Sequence, residues 1–578
     1  MRRRDLLKAT VITAAAAAVP SFFGCTDTEA VALTVFPLGV ASGDPREASV
    51  VLWTRVEPGA AELEDVRYEL ALDGGFRSVV AQGTTRVGAA SDFTLRVKVT
   101  GLSPDTRYHF RFHARKVAST VGQTKTAAAA GADVPVRFAF ATCQDLVGRY
   151  FHSWKVLADE TPPVDFVLFL GDYIYETTAT ANARIPTADR RLNLPDGMPL
   201  GATAEDGRAA VTLADFRAAY RQYRADPDLR RAHALFPFIA VWDDHEFGND
   251  CWQDHTNHFD GKQGDEQNRA SREAATQAFY EYLPVDPERD PAAPFPQDLT
   301  LFRSLRFGKH LELFVTDQRY YRSDHVIPEG PADPSVGKYG QNTILGSRSF
   351  VLKDGFDPKE ALANPTMLGI PQREWLIREV KASDATWKAI GSQTMVAQLL
   401  IDLRQEPSVG ASFRQRFYLK VDQWDGYRSE RRAILEALGA VTGVVWLSGD
   451  LHATYAAELR PDFDAPGPAT AVEYLVPGIS AVALQEQLEI ALKTDPILGA
   501  LGLAPVVRRA DEVVRAANPH LKYAKNKIYG VATVDVDRDR EVRVTFLHLT
   551  SVQSAERPGA IERVAFRTRL GTNAVEPI

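Results

Sequence analysis

Cysteine is scarce in this chain, with three in 578 residues, at positions 25, 143 and 251. That excludes a disulfide-stapled scaffold and a cysteine-rich zinc module. Excess positive charge is missing too: the formal net charge is −8, so neither nucleic acid nor an anionic membrane surface is an implied partner. No apolar run reaches the length of a membrane span. There is no internal repeat at solenoid or propeller periods, and no low-complexity tract beyond two alanine runs. What remains is ordinary globular composition, 45% apolar and 25% charged, which argues against extensive disorder. At this length two or more domains are expected.

The first 25 residues read as an address. A basic head (Arg2, Arg3, Arg4) precedes an apolar stretch from about Ala9 to Phe23 and then Gly24-Cys25, the three-part build of an export signal. Arg3-Arg4-Asp5-Leu6-Leu7-Lys8 resembles the twin-arginine pattern read by machinery that exports folded proteins, so a cofactor loaded before crossing is expected. Cys25 is a candidate acylation site, although Phe22 and Phe23 stand where a lipoprotein signal usually has Leu. The expected location is periplasmic or extracellular, with lipid anchoring through Cys25 left open.

Residues 30–126 are expected to form an N-terminal β domain. "SVVLWTRV", "VRYELALD", "FTLRVKVTGL" and "YHFRFHA" are short runs rich in β-branched and aromatic residues between turn signals. "GLSPDTRY" resembles the tyrosine corner of immunoglobulin or fibronectin-type sandwiches, with Tyr108 at the corner and Trp53 expected between the sheets. "TAAAAGADVP" reads as a linker, and a second domain is expected over 135–578.

Beyond the linker, strands alternate with helical stretches, and the strands end in unusual residues. "VRFAFATCQD" ends in Cys143, "VLFLGDYIYE" in Asp172 and Tyr175, "FPFIAVWDDHE" in Asp243, Asp244, His245 and Glu246, and "VTGVVWLSGDLH" in Asp450 and His452. "LELFVTDQR" ends in Asp317 and Arg319. A single Asp after a strand is ordinarily a helix cap. Four endings built from Cys, Asp, Tyr, His and Glu point instead to a metal site at the carboxyl ends of the strands, where open α/β sheets bind ligands.

The donor types suggest the metals. A phenol with a normal pKa of about 10 needs a strongly acidic cation to ligate as phenolate. Fe(III) suits Cys143, Asp172, Tyr175 and His452. The oxygen donors Asp243, Asp244 and Asp450, with Asp172 as bridge, suit Ca, Mn or Mg, and zinc stays open. Two cations roughly 3.5–4 Å apart can clamp the attacking and leaving oxygens of a phosphoryl displacement.

These blocks carry a family resemblance. "GDYIY" fits the GDxxY block of metallophosphatases, "DDHE" stands where that superfamily has GNH(D/E), and "GDLH" where it has GHxH. Together with "FPLGVASGDP", "FAFATCQD", "DQWDGYRSER" and "NPHLKY", from Phe36 to about residue 550, the chain resembles the alkaline phosphatase D family, which includes a metal-dependent phospholipase D. The resemblance implies a fibronectin-like N-terminal domain followed by an α/β/β/α metallophosphatase domain. It also implies Fe(III) on Cys, Asp, Tyr and His with Ca2+ on the carboxylates, the family blocks falling on Cys143, Asp172, Tyr175, Asp244, Asp450 and His452.

The expected activity is hydrolysis of phosphate monoesters, diesters or both by metal-hydroxide attack at phosphorus, with phospholipid headgroups as the alternative substrate. A binding module with a decayed metal site is the non-enzyme alternative. The phosphohistidine phospholipase pattern fails, because Lys527 stands where an Asp is needed after His520 and Lys522. There is no Asp-Ser-Ala serine-nucleophile signature. His245 is a candidate catalytic residue, acting on the leaving group or orienting carboxylates. Arg319 is the other, a candidate phosphate clamp with Arg322. Asp422, Trp424, Asp425 and Tyr427 match a family block without a derivable role; Asn518 and His520 do too, and are candidate substrate-pocket residues. A Cys143–Cys251 disulfide is the competing reading of the two thiols, and a monomer is expected.

Overall fold

The computed structural model describes residues 27–179, 184–203, 206–256, 266–340, 345–346, 348–538, 540–557 and 559–578. The segment expected to be an export signal, with Cys25, lies outside the described residues. Among those described, no helix is long and apolar enough to cross a membrane.

Two large sheets organise the molecule. The first has ten strands, with a parallel centre formed by Val136–Ala141, Phe166–Phe169 and Pro237–Ala240. The second has seven, with Leu311–Val315, Trp387–Ser392, Val444–Ser448 and Ala471–Leu475 running parallel. Every residue of Phe166–Phe169, Pro237–Ala240 and Val444–Ser448 is buried, as continuous apolar strands covered on both faces should be. The sheets pack against one another: Leu168 and Leu170 of the first lie beside Gly391 of the second, where a Cβ would come within 3.1 Å of the Leu170 Cδ2. Helix Leu213–Arg224 buries Phe216 and Tyr220, and helix Arg269–Tyr282 buries Phe279, in the core of the ten-stranded sheet. Helices Gly369–Ala382 and Arg428–Leu438 bury Leu376, Val380, Ile434 and Leu435 with Phe314, Ile390 and Trp446 of the seven-stranded sheet.

The N-terminal strands do not keep to themselves. Leu63–Ala71, Val79–Gly88 and Arg107–Ala114 form a smaller sheet with two short strands. Val40–Gly43, Ser49–Arg55 and Thr94–Thr100 instead extend the ten-stranded sheet, Val40–Gly43 pairing in parallel with Pro237–Ala240. Strand alternation then corrects the role expected of Trp53. Val50 and Leu52 point into the N-terminal core with Leu70, Phe110 and Phe112, whereas Trp53 points the other way, into the core of the large sheet. There its Nε1–H donates to the Glu281 carbonyl at 2.7 Å and the Arg224 guanidinium sits 3.8 Å from the ring centroid. Tyr108 makes the corner contact, its hydroxyl accepting the Ser103 N–H at 2.9 Å.

Candidate metal centre

The strands deliver their polar ends to one place because the backbone reverses sharply after each. Cys143, Asp172, Asp450 and His452 all have left-handed φ, at 58°, 57°, 63° and 57°. Each such residue costs on the order of 1 kcal/mol or more and persists only where its surroundings hold it. Two glycines permit the close approach. Gly171 has φ +96°, and a Cβ there would lie 2.4 Å from both the Cβ and the nitrogen of Asp243. At Gly449 a Cβ would lie 2.6 Å from the Thr142 Cγ2, so the Asp450 turn rests directly on the Cys143 turn. Backbone bonds lock the register: Cys143 N–H donates to the Gly171 carbonyl (3.1 Å) and Gln144 N–H to that of Asp172 (3.0 Å).

One carboxylate ties the two aspartate loops together. Glu246 accepts the backbone N–H groups of Asp172 at 3.0 Å, Tyr173 at 2.5 Å and Asp243 at 2.7 Å. It was visible in the sequence as part of "DDHE", but no pattern gave it this role.

Three sets of donors converge. Cys143, Asp172 and His452 form one, Asp172, Asp244 and His245 a second, and Asp172, Asp243, Asp244 and Asp450 a third, the donor atoms of each lying within 4.8 Å of one another. Asp172 belongs to all three. The Tyr175 hydroxyl donates to Asp172 Oδ2 at 2.9 Å and lies 3.1 Å from His452 Nε2, which puts the phenol with the thiol set. All seven sequence-predicted metal ligands are thus brought together.

The residues present fit a bound cation. Burial, and then the neighbouring Asp172 charge, push the Cys143 thiol and the Tyr175 phenol well above their usual pKa values. Burial likewise pushes up Asp172 and Asp243. Asp243 Oδ2 is buried with no hydrogen-bond partner. Buried acids at this density need cationic partners. His452 is tuned as a neutral ligand: burial lowers its pKa to about 3, and its Nδ1 lies 2.8 Å from the Val482 carbonyl and 2.7 Å from Gln487 Nε2. Its Nε2 therefore faces Tyr175 and Cys143, the second contact of a ligating histidine being fixed by its surroundings.

His245 sits beside this cluster. Its ring packs on Tyr175 at 4.1 Å between centroids, and its Nδ1 lies 2.6 Å from Glu176 Oε2. Burial opposes protonation, but Glu176, Asp244 and Asp172 outweigh it and hold the imidazole pKa well above its usual value. Arg319 is fully buried beneath the carboxylates. Its Nε pairs with Asp243, its Nη1 donates to Asp422 at 2.9 Å, and its Nη2, without a hydrogen bond, lies 3.7 Å from Asp244 and 3.9 Å from Asp450. Arg322 is spent on Asp422 and Tyr427. Asp422, between Arg319, Arg322 and His325, anchors both arginines, and burial is overcome so far that its pKa falls well below normal.

Other candidates lie elsewhere. Asn518 and His520 do not line the site: Asn518 brackets the Leu400 backbone, and His520 bonds to the Gln398 carbonyl. Asp425 accepts from Leu399 N–H and Arg431, a structural role. Asp317 caps its turn through the Arg319 and Tyr320 N–H groups. Cys251 is free and buried, its Sγ 3.8 Å from the Asp244 carbonyl, so the two thiols are not paired. Sequence reasoning missed Glu176, Gln423, whose amide meets Asp450, and Gln487 behind His452. Of these Glu176 left a trace as the acidic end of "GDYIYE", and Gln423 as the second residue of "DQWDGYRSER".

Comparison with known proteins places the chain in a family. The PhoD-like phosphatase model matches residues 138–546, and the model of the PhoD-like phosphatase N-terminal domain matches 24–128. Alkaline phosphatase D of Bacillus subtilis (strain 168) is 32% identical over 446 residues, covering 74% of this chain and 66% of that protein, just under two thirds of its length. The solved structure of PhoD superposes with a TM-score of 0.73 at 26% identity, over 94% of this chain and 92% of that one. The chain belongs to the PhoD-like phosphatase family.

Proposed function

We propose that the chain is an exported, metal-dependent phosphoesterase acting on phosphate monoesters, diesters or both. The observation that carries this is the position of Asp172, common to a thiol–phenol–imidazole set and to a four-carboxylate set. Donors of such different softness within one pocket support two dissimilar cations, read as Fe(III) on Cys143, Asp172, Tyr175 and His452 and Ca2+ on Asp172, Asp243, Asp244 and Asp450, with zinc or manganese as substitutes. When bound, such a pair supplies Lewis acidity toward phosphoryl oxygens and an acidified water.

The chain's own residues supply the rest. Asp172 holds the two sets in register. Arg319, buried and with Nη2 facing Asp244 and Asp450, lends positive charge from below to the phosphoryl group. His245, oriented by Glu176, holds a proton for the departing oxygen. The ten- and seven-stranded sheets with their helices read as an α/β/β/α catalytic unit over 135–578, and residues 30–126 as a fibronectin-like unit. The Arg3-Arg4 pattern supports twin-arginine export to the periplasm or beyond.

The test is elemental analysis of native protein with a substrate panel of a monoester, a diester and phosphatidylcholine. Two metals per chain with ester hydrolysis that is lost on chelation is the expected result. Full activity after removal of every metal overturns the reading.

A further inference from the structure

Tyr175 carries the phenol of the metal centre, yet it stands in neither a helix nor a strand. Among the described residues, the sheet pairing next to it is one isolated bridge, Thr177 with Ala209. What braces the segment is Arg184, whose side chain is 13% exposed and uses all five of its N–H groups. On one side Nε donates to Asp145 Oδ2 at 2.7 Å and Nη2 to Asp145 Oδ1 at 3.0 Å, the two-pronged fit of a guanidinium to a carboxylate. On the other, Nη1 donates to Thr177 Oγ1 at 2.8 Å and to the Ala179 carbonyl at 3.2 Å, and Nη2 to the Thr177 carbonyl at 2.9 Å. Asp145 stands two residues beyond Cys143, and Thr177 two beyond Tyr175. One side chain thus ties the segment that carries the thiol to the segment that carries the phenol, its guanidinium carbon 5.9 Å from the Tyr175 ring centroid. Two more contacts follow the same seam. The buried Tyr223 hydroxyl accepts the N–H groups of Tyr175 at 3.0 Å and Leu146 at 3.3 Å. At Gly148 a Cβ would lie 2.0 Å from the Ile185 carbonyl oxygen, so the turn after Asp145 is seated against the backbone after Arg184.

That seam bears on which metal the thiol set takes. Cys143, Asp172 and His452 without the phenol are three protein donors of the kinds zinc accepts, with a position left open. A phenol, with a normal pKa of about 10, ligates only a strongly acidic cation, so its presence moves the preference to Fe(III). The Tyr175 hydroxyl stands 3.1 Å from His452 Nε2 and 2.9 Å from Asp172 Oδ2 while its segment is kept against the Cys143 turn. We propose that Arg184 is a positioning residue that, by clasping Asp145 and Thr177, keeps the Tyr175 phenol on the thiol set and makes that set select iron over zinc. The inference rests on the iron reading above and adds what enforces it in this chain.

The test uses the full chain, expressed with iron and zinc supplied at equal concentration and purified without chelator. Iron, zinc and calcium per chain, the visible spectrum and the thermal midpoint are measured for the parent, Arg184→Met, Arg184→Lys and Tyr175→Phe. Arg184→Met is expected to lower the iron-to-zinc ratio by about tenfold or more and to weaken the visible band, with calcium content unchanged, as Tyr175→Phe does. Arg184→Lys keeps the charge but not the fork that spans both segments, so it should fall between. Should Arg184→Met fail to fold, Tyr223→Phe loosens the same seam while leaving every metal donor in place, and its ratio should move the same way. A parental iron-to-zinc ratio and band in Arg184→Met, or in Tyr223→Phe where that variant stands in, would overturn the inference. Loss of iron, zinc and calcium in equal proportion would also overturn it, leaving Arg184 a brace of the fold without a part in metal choice. A parent that carries no iron would overturn the iron reading and this inference with it, whereas parental iron with an unmoved ratio in the variants overturns this inference alone.

Discussion

The carboxylate of Glu246 lies 3.0 Å from the backbone nitrogen of Asp172, on a neighbouring strand, and takes up two further N–H groups from Tyr173 and Asp243. No sheet bond links the turns at 171–173 and 242–246, so this side chain fixes how far apart the Asp172 and Asp243 carboxylates stand. Removing a buried acceptor shared by three donors leaves all of them unsatisfied, although burial raises the Glu246 pKa to about 7. Glu246→Ala should cost about 2–4 kcal/mol in stability and lower the content of both metals. Glu246→Gln, which keeps one acceptor oxygen, should fall between. Denaturant unfolding with metal analysis on the same samples checks this, and a Glu246→Ala protein with parental stability and metal content would reduce Glu246 to a bystander.

Acid sensitivity should arise away from the metals. His548 is buried in the ten-stranded sheet against Thr454 Oγ1 at 3.0 Å, and burial lowers its pKa to about 4; burial lowers His520 to about 3. Their folded pKa values lie below the unfolded value of about 6.5, so the unfolded chain binds more protons as pH falls. Their contribution is intact above about pH 6.5 and lost as pH drops toward the folded values, about 2 kcal/mol for His548 between pH 7 and 4.5. His548→Gln should flatten the stability–pH curve over that window in denaturant titrations. An equally steep curve in the variant would assign the acid loss to other groups.

Much of the centre was legible because chemistry and sheet topology converge on the same residues. Cys, Asp, Tyr and His at strand ends have few structural reasons to be there, and the parallel order places those ends side by side. Trp53 shows the limit of this reasoning: period-2 alternation predicts a face, but not that Ser49–Arg55 belongs to the large sheet. Asn518 and His520 misled because polar residues in an apolar neighbourhood satisfy backbone groups as readily as they bind ligands. Glu246, Gln423 and Gln487 were invisible as positioning groups, since their role depends on backbone N–H groups and side chains distant in sequence.

Cysteine chemistry separates the ligand reading from the redox one. Cys143 and Cys251 are both buried and free, but only Cys143 joins a donor set. Native protein should therefore react slowly with thiol reagents, and chelation should expose Cys143 more than Cys251. Cys251→Ser should retain activity within about threefold, being far from the donor atoms in role, whereas Cys143→Ser should lower iron content. Mass spectrometry of active protein showing a Cys143–Cys251 bridge would reverse the assignment.

The shared carboxylate makes the sharpest demand. Phenolate and thiolate on Fe(III) should give a visible charge-transfer band, and a colourless, iron-free but fully active native protein would leave a zinc or calcium pair instead. Asp172 lies within 4.8 Å of both donor sets and is turned toward them by a left-handed backbone that Gly171 makes possible. Asp172→Asn keeps its shape and removes one negative charge between two cations, so both metals should be lost together and turnover should fall by about 10²-fold or more. Tyr175→Phe removes a donor from one set only, so iron and colour should fall while the second metal stays. Gly171→Ala, whose Cβ would collide with the Asp243 backbone, should move the two loops apart and resemble Asp172→Asn in metal content without changing any donor. Metals per chain, absorbance and turnover measured across the three variants test the arrangement. If Asp172→Asn retains both metals and near-parental turnover, Asp172 only shapes its turn and the two sets are independent.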